Sequence, residues 1–133
     1  MTPFHLEIVT PDGLAYSGEV ESLLVRTDDG DVEILAKHTD FLASLSTGRA
    51  RLLIQGNAKY ASVSGGFLSV KDGVVRLVAI TFEFAEDIDS LRAKAAKERA
   101  EAALKSASDE RAELVAKAKL ARAVSRINVS ELL

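Results

Sequence analysis

The hydrophobic period of this chain changes once, just after Ala85, and that change limits the possible folds more than any other feature. Before it, Phe4, Leu6 and Ile8 alternate with His5 and Glu7, and a second period-two run extends over Val74–Phe84. Turn signals divide the rest: TPDG (Thr10–Gly13), DDG (Asp28–Gly30), QGN (Gln55–Asn57) and KDG (Lys71–Gly73). Asp-Gly and Gly-Asn supply the positive φ of tight hairpin turns. Period two with turns at about ten-residue spacing predicts antiparallel strands, roughly eight to ten of them. That many short strands on so little chain close into a sandwich rather than lie flat.

After Ala85 the period becomes helical. Ala93, Ala96, Ala100, Ala103 and Ala107 form one stripe, and Ala112, Ala116, Leu120, Ala123 and Ile127 form another. Ser106-Ala107-Ser108-Asp109 separates them, an S-x-x-D pattern that predicts a capped new helix. Two helices joined so tightly run antiparallel. The fold class is therefore α+β, with a β-sandwich over residues 1–85 and a helical hairpin over 86–133. Alanine seams bury little apolar area, so at about 25 cal/mol per Å² this hairpin is only weakly self-stabilised. It reads as a switchable element.

Composition narrows the function by exclusion. No apolar run approaches the ~20 residues needed to cross a bilayer, so no direct membrane insertion is expected. The start, MTPFHLEIVTPDG, has neither a basic-then-apolar leader nor an Arg-rich transit character, so a cytosolic chain is expected. The absence of Cys excludes disulfides, thiolate metal sites and a thiol nucleophile. Met1–Glu86 holds 12 acidic and 7 basic residues, whereas Asp87–Leu133 holds 8 acidic and 10 basic. The halves differ in sign and so face different partners, but the slight positive balance of the second is too weak for nucleic acid.

No catalytic constellation is visible. His5 and His38 stand alone, one on a strand and one in a loop, and read as surface histidines. Gly65-Gly66 in VSGGFLSV follows a strand without the Lys-Ser or Lys-Thr of a phosphate loop, and fits a turn or bulge with close backbone approach. No catalytic residue and no metal ligand set is expected.

The stretch EDIDSLRAKAAKERA (Glu86–Ala100) is more informative. Asp87 or Asp89 suits the positive end of the helix. With the turn near Ser106–Asp109 as the centre, Arg122 faces Ala93–Ala96 and Arg126 faces Asp89–Arg92, and Arg122 and Arg126 share one side of their helix. Arg92, Arg122 and Arg126 then converge near a helix N-terminus. Spacing leaves two readings open: ordinary salt bridges, or a site for an anion.

At these residues the chain resembles the ε subunit of bacterial F-type ATP synthases. The likeness rests on VTPDG (Val9–Gly13), VSGGFL (Val63–Leu68) and EDIDSLRAKAAKERAE (Glu86–Glu101). Within the last, Ile88-Asp89-Ser90-Leu91-Arg92-Ala93 fits the I-D-x-x-R-A motif of members that bind ATP. The resemblance implies a non-catalytic rotor subunit of the central stalk that binds the γ subunit, rests on the c-ring and couples proton transport to ATP synthesis. It implies a peripheral location on the cytoplasmic face of the bacterial cell membrane. It further implies a helical domain that rises into the α/β headpiece to inhibit ATP hydrolysis and, when compact, holds ATP as a regulatory ligand. The implied ATP-binding residues are Glu83, Ile88, Asp89, Arg92, Ala93, Arg99, Arg122 and Arg126. A stand-alone ATP sensor outside any rotor is the alternative. Two departures stand out: Glu33-Ile34-Leu35-Ala36-Lys37-His38 where the family reads G-I-L-P-G-H, and Phe84 where close ATP-binding relatives tend to carry Arg.

Overall fold

A computed structural model of the chain describes Met1 to Leu132; Leu133, the expected end of the hairpin, lies outside the described residues. Ten strands come first: β1 (Phe4–Thr10), β2 (Gly13–Val20), β3 (Ser22–Thr27), β4 (Gly30–Ile34), β5 (Phe41–Ser44), β6 (Gly48–Ile54), β7 (Asn57–Ser64), β8 (Phe67–Lys71), β9 (Val74–Val78) and β10 (Thr81–Phe84). A single 3-10 turn at Ala85–Asp87 leads into α1 (Ser90–Lys105), and α2 (Glu110–Ser130) follows. The strands form two five-stranded sheets, ordered β2-β1-β9-β8-β5 and β10-β7-β6-β3-β4. This is the expected sandwich with a two-helix hairpin.

The turns form where the dipeptides demand them. Gly13 and Gly30 both hold φ near +116°, and the Gln55-Gly56 and Asp72-Gly73 pairs both sit at positive φ, as two-residue hairpins with right-handed strand twist require. One pairing differs from the antiparallel expectation. β1 and β9 run parallel, with Leu6 opposite Val75 and Ile8 opposite Leu77. Alternation fixes which face a residue takes, but it is silent on the direction of strands far apart in sequence. These four side chains all point into the core.

The Gly65-Gly66 turn is a close backbone approach, not an anion loop. Gly66 has φ +94°, and a Cβ there would collide with the carbonyl oxygen of Val78. Its own carbonyl accepts from Leu45 N at 2.9 Å. In the departing segment after β4, Lys37 holds φ +61° at the place where the family pattern has glycine. His38 packs edge-on to Phe41, with ring centroids 5.8 Å apart. His5 is exposed beside Ser17 and Glu19.

The core belongs to the sandwich alone. Leu6, Ile8, Leu23, Leu52, Leu68 and Leu77 are completely buried, and the contiguous apolar cluster contains no helical residue. The hairpin buries a separate seam of Ala93, Ala100, Ala116 and Ala123, with Val129 near its end. Ala103, expected on that seam, is exposed. The caps also refine the expectation: Asp109 Oδ1 accepts from Ala112 N at 2.8 Å, making Asp109 itself the N-cap of α2. Ser106 closes α1 instead, donating its hydroxyl to the carbonyls of Ala102 and Ala103. An S-x-x-D pattern serves either register, and the carboxylate at Asp109 is the better partner for the positive end of α2.

Candidate functional site

A cavity of about 810 Å³ opens between the hairpin and the β10 side of the sandwich. Its helical wall carries Arg92 and Arg99 from α1 and Lys119, Arg122 and Arg126 from α2. The sandwich wall carries Thr10 and Asp12 from the β1–β2 turn, Ser62 from β7, and Ile80 to Glu83. Five cations and two carboxylates therefore share one cleft, and its volume falls within the usual range for a small-molecule site, about 300–1,000 Å³.

Local sequence places each cation. Arg122 and Arg126 lie one turn apart on α2, on either side of the buried Ala123. The small side chains of the seam let the helices approach closely, so arginines at its edge reach over one groove. Arg126 forms a fork with Glu83, Nε donating to Oε1 at 2.8 Å and Nη2 to Oε2 at 3.4 Å. Ser62 and Ser125 hydroxyls bond at 2.9 Å beside it, and Lys59 pairs with Glu86 at 2.9 Å. These contacts latch α2 and the turn before α1 onto β7 and β10. The other cations are not neutralised. Among the described residues no carboxylate lies within 4.0 Å of a side-chain nitrogen of Arg92, Arg99, Lys119 or Arg122. Four unpaired cations on one groove favour an anionic occupant carrying several charges.

Of the eight residues implied from sequence, Glu83, Arg92, Arg99, Arg122 and Arg126 line this cavity, and Ile88, Asp89 and Ala93 do not. Ile88 is half-buried in the joint before α1, its amide donating to Ala85 O. Asp89 caps α1, Oδ1 accepting from Arg92 N at 3.1 Å, so one carboxylate oxygen is committed to the helix. Ala93 is completely buried in the seam. These three shape and anchor the helix start that presents Arg92. Phe84 stands apart from the cavity as well. It packs edge-on against Phe82 and Tyr16, with centroids 5.0 and 6.1 Å away, and Lys59 Nζ lies 4.6 Å above its ring.

Apart from Glu83, the sandwich wall was invisible in the sequence. Thr10 and Asp12 reach the cleft because parallel pairing of β1 with β9 brings the β1–β2 turn beside Ile80, the Ala79 amide donating to Val9 O at 2.9 Å. Lys119 carried a usable signal, lying one turn before Arg122 on the same side of α2.

A β-sandwich bearing a latched helical hairpin, with a cationic cleft at their junction, defines a two-part sandwich-and-hairpin module. Residues 3–85 match the family ATP synthase, Delta/Epsilon chain, beta-sandwich domain, and residues 86–131 match its long alpha-helix domain. The chain is 43% identical to the ATP synthase epsilon chain of Bacillus velezensis and 38% identical to that of Halalkalibacterium halodurans, covering 98% of each partner in both comparisons. It therefore belongs to the ATP synthase delta/epsilon family, alongside the bacterial epsilon chains. An epsilon chain is a non-catalytic accessory subunit. The fold also matches a chain in the Euglena gracilis mitochondrial ATP synthase structure (OSCP/F1/c-ring, rotational state 1). There the TM-score is 0.82 at 24% identity, over all of this chain and 83% of that one.

Proposed function

We propose that this chain is a central-stalk rotor subunit of an F-type ATP synthase whose hairpin is a nucleotide-controlled brake on ATP hydrolysis. The observation that carries this reading is the groove of unpaired cations at the junction of hairpin and sandwich. The sandwich binds the γ subunit and rests on the c-ring at the cytoplasmic face of the membrane, through which proton flow drives synthesis. The hairpin alternates between two positions, docked on β7 and β10 or extended into the α/β headpiece.

The physics supports such a switch. The hairpin shares no core with the sandwich: the alanine seam joins its two helices to each other, and the Arg126–Glu83 fork, the Ser62–Ser125 hydroxyl pair and the Lys59–Glu86 ion pair latch it to the strands. Undocking therefore exposes little apolar area. ATP bound in the cleft bridges α1, through Arg92 and Arg99, to α2, through Arg122 and Arg126, with Glu83 on the sandwich at its edge. A ligand held only by the docked state stabilises that state by RT ln(1 + [L]/Kd), about 2.7 kcal/mol at a hundredfold excess over Kd. Depleting ATP releases the hairpin to inhibit. Glu83, one of the two carboxylates in the groove, is held in the Arg126 fork, and on this reading ATP is a signal and not a substrate.

The chain has no cysteine, so fluorophores can be placed at single introduced cysteines on exposed Thr39 and Ser108. ATP should shorten the distance between them in the assembled complex and relieve inhibition in parallel. An unchanged distance at saturating ATP would overturn the brake.

A further inference from the structure

Lys119 belongs to none of the residues that the family resemblance implies, yet it lines the same cleft, exposed and without an ion-pair partner among the described residues. Its position along the hairpin is informative. Ala93 with Ala123, and Ala100 with Ala116, are buried pairs placed symmetrically about the turn. The groove residues follow the same antiparallel order. Arg92 lies level with Arg126, Ala96 with Arg122, and Arg99 with Lys119. From the first of these rungs to the last is two helical turns, about 10 Å at 1.5 Å per residue.

The two ends differ in charge. At the Arg92–Arg126 end stands the Glu83 fork, and the carboxylate there repels phosphates while accepting hydrogen bonds from a base or ribose. Towards the turn the helical wall carries only cations, Arg122, then Arg99 and Lys119; Asp12 stands on the facing sandwich wall. A nucleotide with its base at the carboxylate end lays its phosphates along the rungs, and only the outermost group of a triphosphate reaches the last.

We infer that Lys119, with Arg99, forms a terminal-phosphate rung that lets this chain distinguish a nucleoside triphosphate from the diphosphate. This rests on the nucleotide reading above and deepens it. A lysine suits the role: its ammonium is a compact point charge with three rotatable donors, able to meet a terminal phosphate that carries the most charge. Arg92, Arg122 and Arg126 serve both nucleotides, so they set affinity without setting chain length.

The test is calorimetry on the full chain with ATP, ADP and AMP, comparing wild type, Lys119→Ala, Lys119→Arg and Arg122→Ala. Alanine is favourable at an exposed helical position, so the fold is kept. The expected result is that Lys119→Ala lowers ATP affinity about tenfold, the equivalent of ~1.4 kcal/mol. Its ADP and AMP affinities should change less than twofold, Lys119→Arg should retain the preference, and Arg122→Ala should weaken ATP and ADP together. Equal loss of ATP and ADP in Lys119→Ala would overturn the terminal rung and leave the nucleotide site standing, as would no loss at all. A wild-type chain that binds none of the three would overturn both.

Discussion

Replacing Arg126 with alanine tests the latch and the proposed ligand site together, because this guanidinium forms the Glu83 fork and also lines the cleft. Its fork to Glu83 is two charge-assisted hydrogen bonds, each contributing about 1.5–3 kcal/mol when well shielded. Arg126 and Glu83 keep 27% and 32% of their side-chain surface exposed, so solvent screening reduces the fork to about 1–2 kcal/mol in all. Arg126→Ala should lower the opening free energy of α2 by that amount, read as faster amide exchange through Ala123–Val129 with β3 and β6 unaffected. In the same variant ATP affinity should fall at least about tenfold, since a phosphate contact worth ~1.4 kcal/mol is lost. Glu83→Gln is the informative companion. It weakens the fork and leaves Arg126 charged, so α2 should open more readily while calorimetry still detects ATP binding. If Arg126→Ala exchanged like wild type and bound ATP as tightly, both the latch and the two-helix clamp would be wrong.

Four further outcomes are expected. A chain ending at Ala85 should remain folded and bind γ, because the core contains no helical residue; a circular dichroism spectrum without strand signal would refute this. Gly66→Ala should destabilise the sandwich by more than about 2 kcal/mol in urea unfolding, since the new Cβ meets the Val78 carbonyl at positive φ. Lys37→Gly should do the reverse and raise stability by up to about 1 kcal/mol, relieving a left-handed lysine. Replacing Lys117, Lys119, Arg122 and Arg126 together should raise hydrolysis by the assembled complex, and added salt should weaken wild-type inhibition. Loss of ATP binding alone would deepen inhibition, so the sign of the change identifies contact of α2 with the headpiece.

Much of this molecule was legible in the chain because its determinants are local. Asp-Gly and Gly-Asn turns, strand alternation and the alanine stripes each report on a few neighbouring residues. The arginine groove was legible for the same reason, since α1 and α2 are neighbours across one short turn and Arg92 and Arg126 can be placed by counting from it. What was missed depends on long-range contacts. The parallel β1–β9 pair, the sandwich wall at Thr10 and Asp12, and the partnership of Arg126 with Glu83 all join segments remote in sequence. Ile88, Asp89 and Ala93 expose a different limit. A motif names residues that matter together, but here the helix cap and the seam claim these three while the arginines reach the cleft.

The central claim is that the docked hairpin holds ATP without hydrolysing it. Titrating the isolated chain with ATP, followed by NMR, tests it most directly. Saturable shifts at Glu83, Arg92, Arg99, Arg122 and Arg126, with the nucleotide recovered intact, are the predicted result. No shift at millimolar ATP, or shifts scattered over the β3–β4 side of the sandwich, would contradict it.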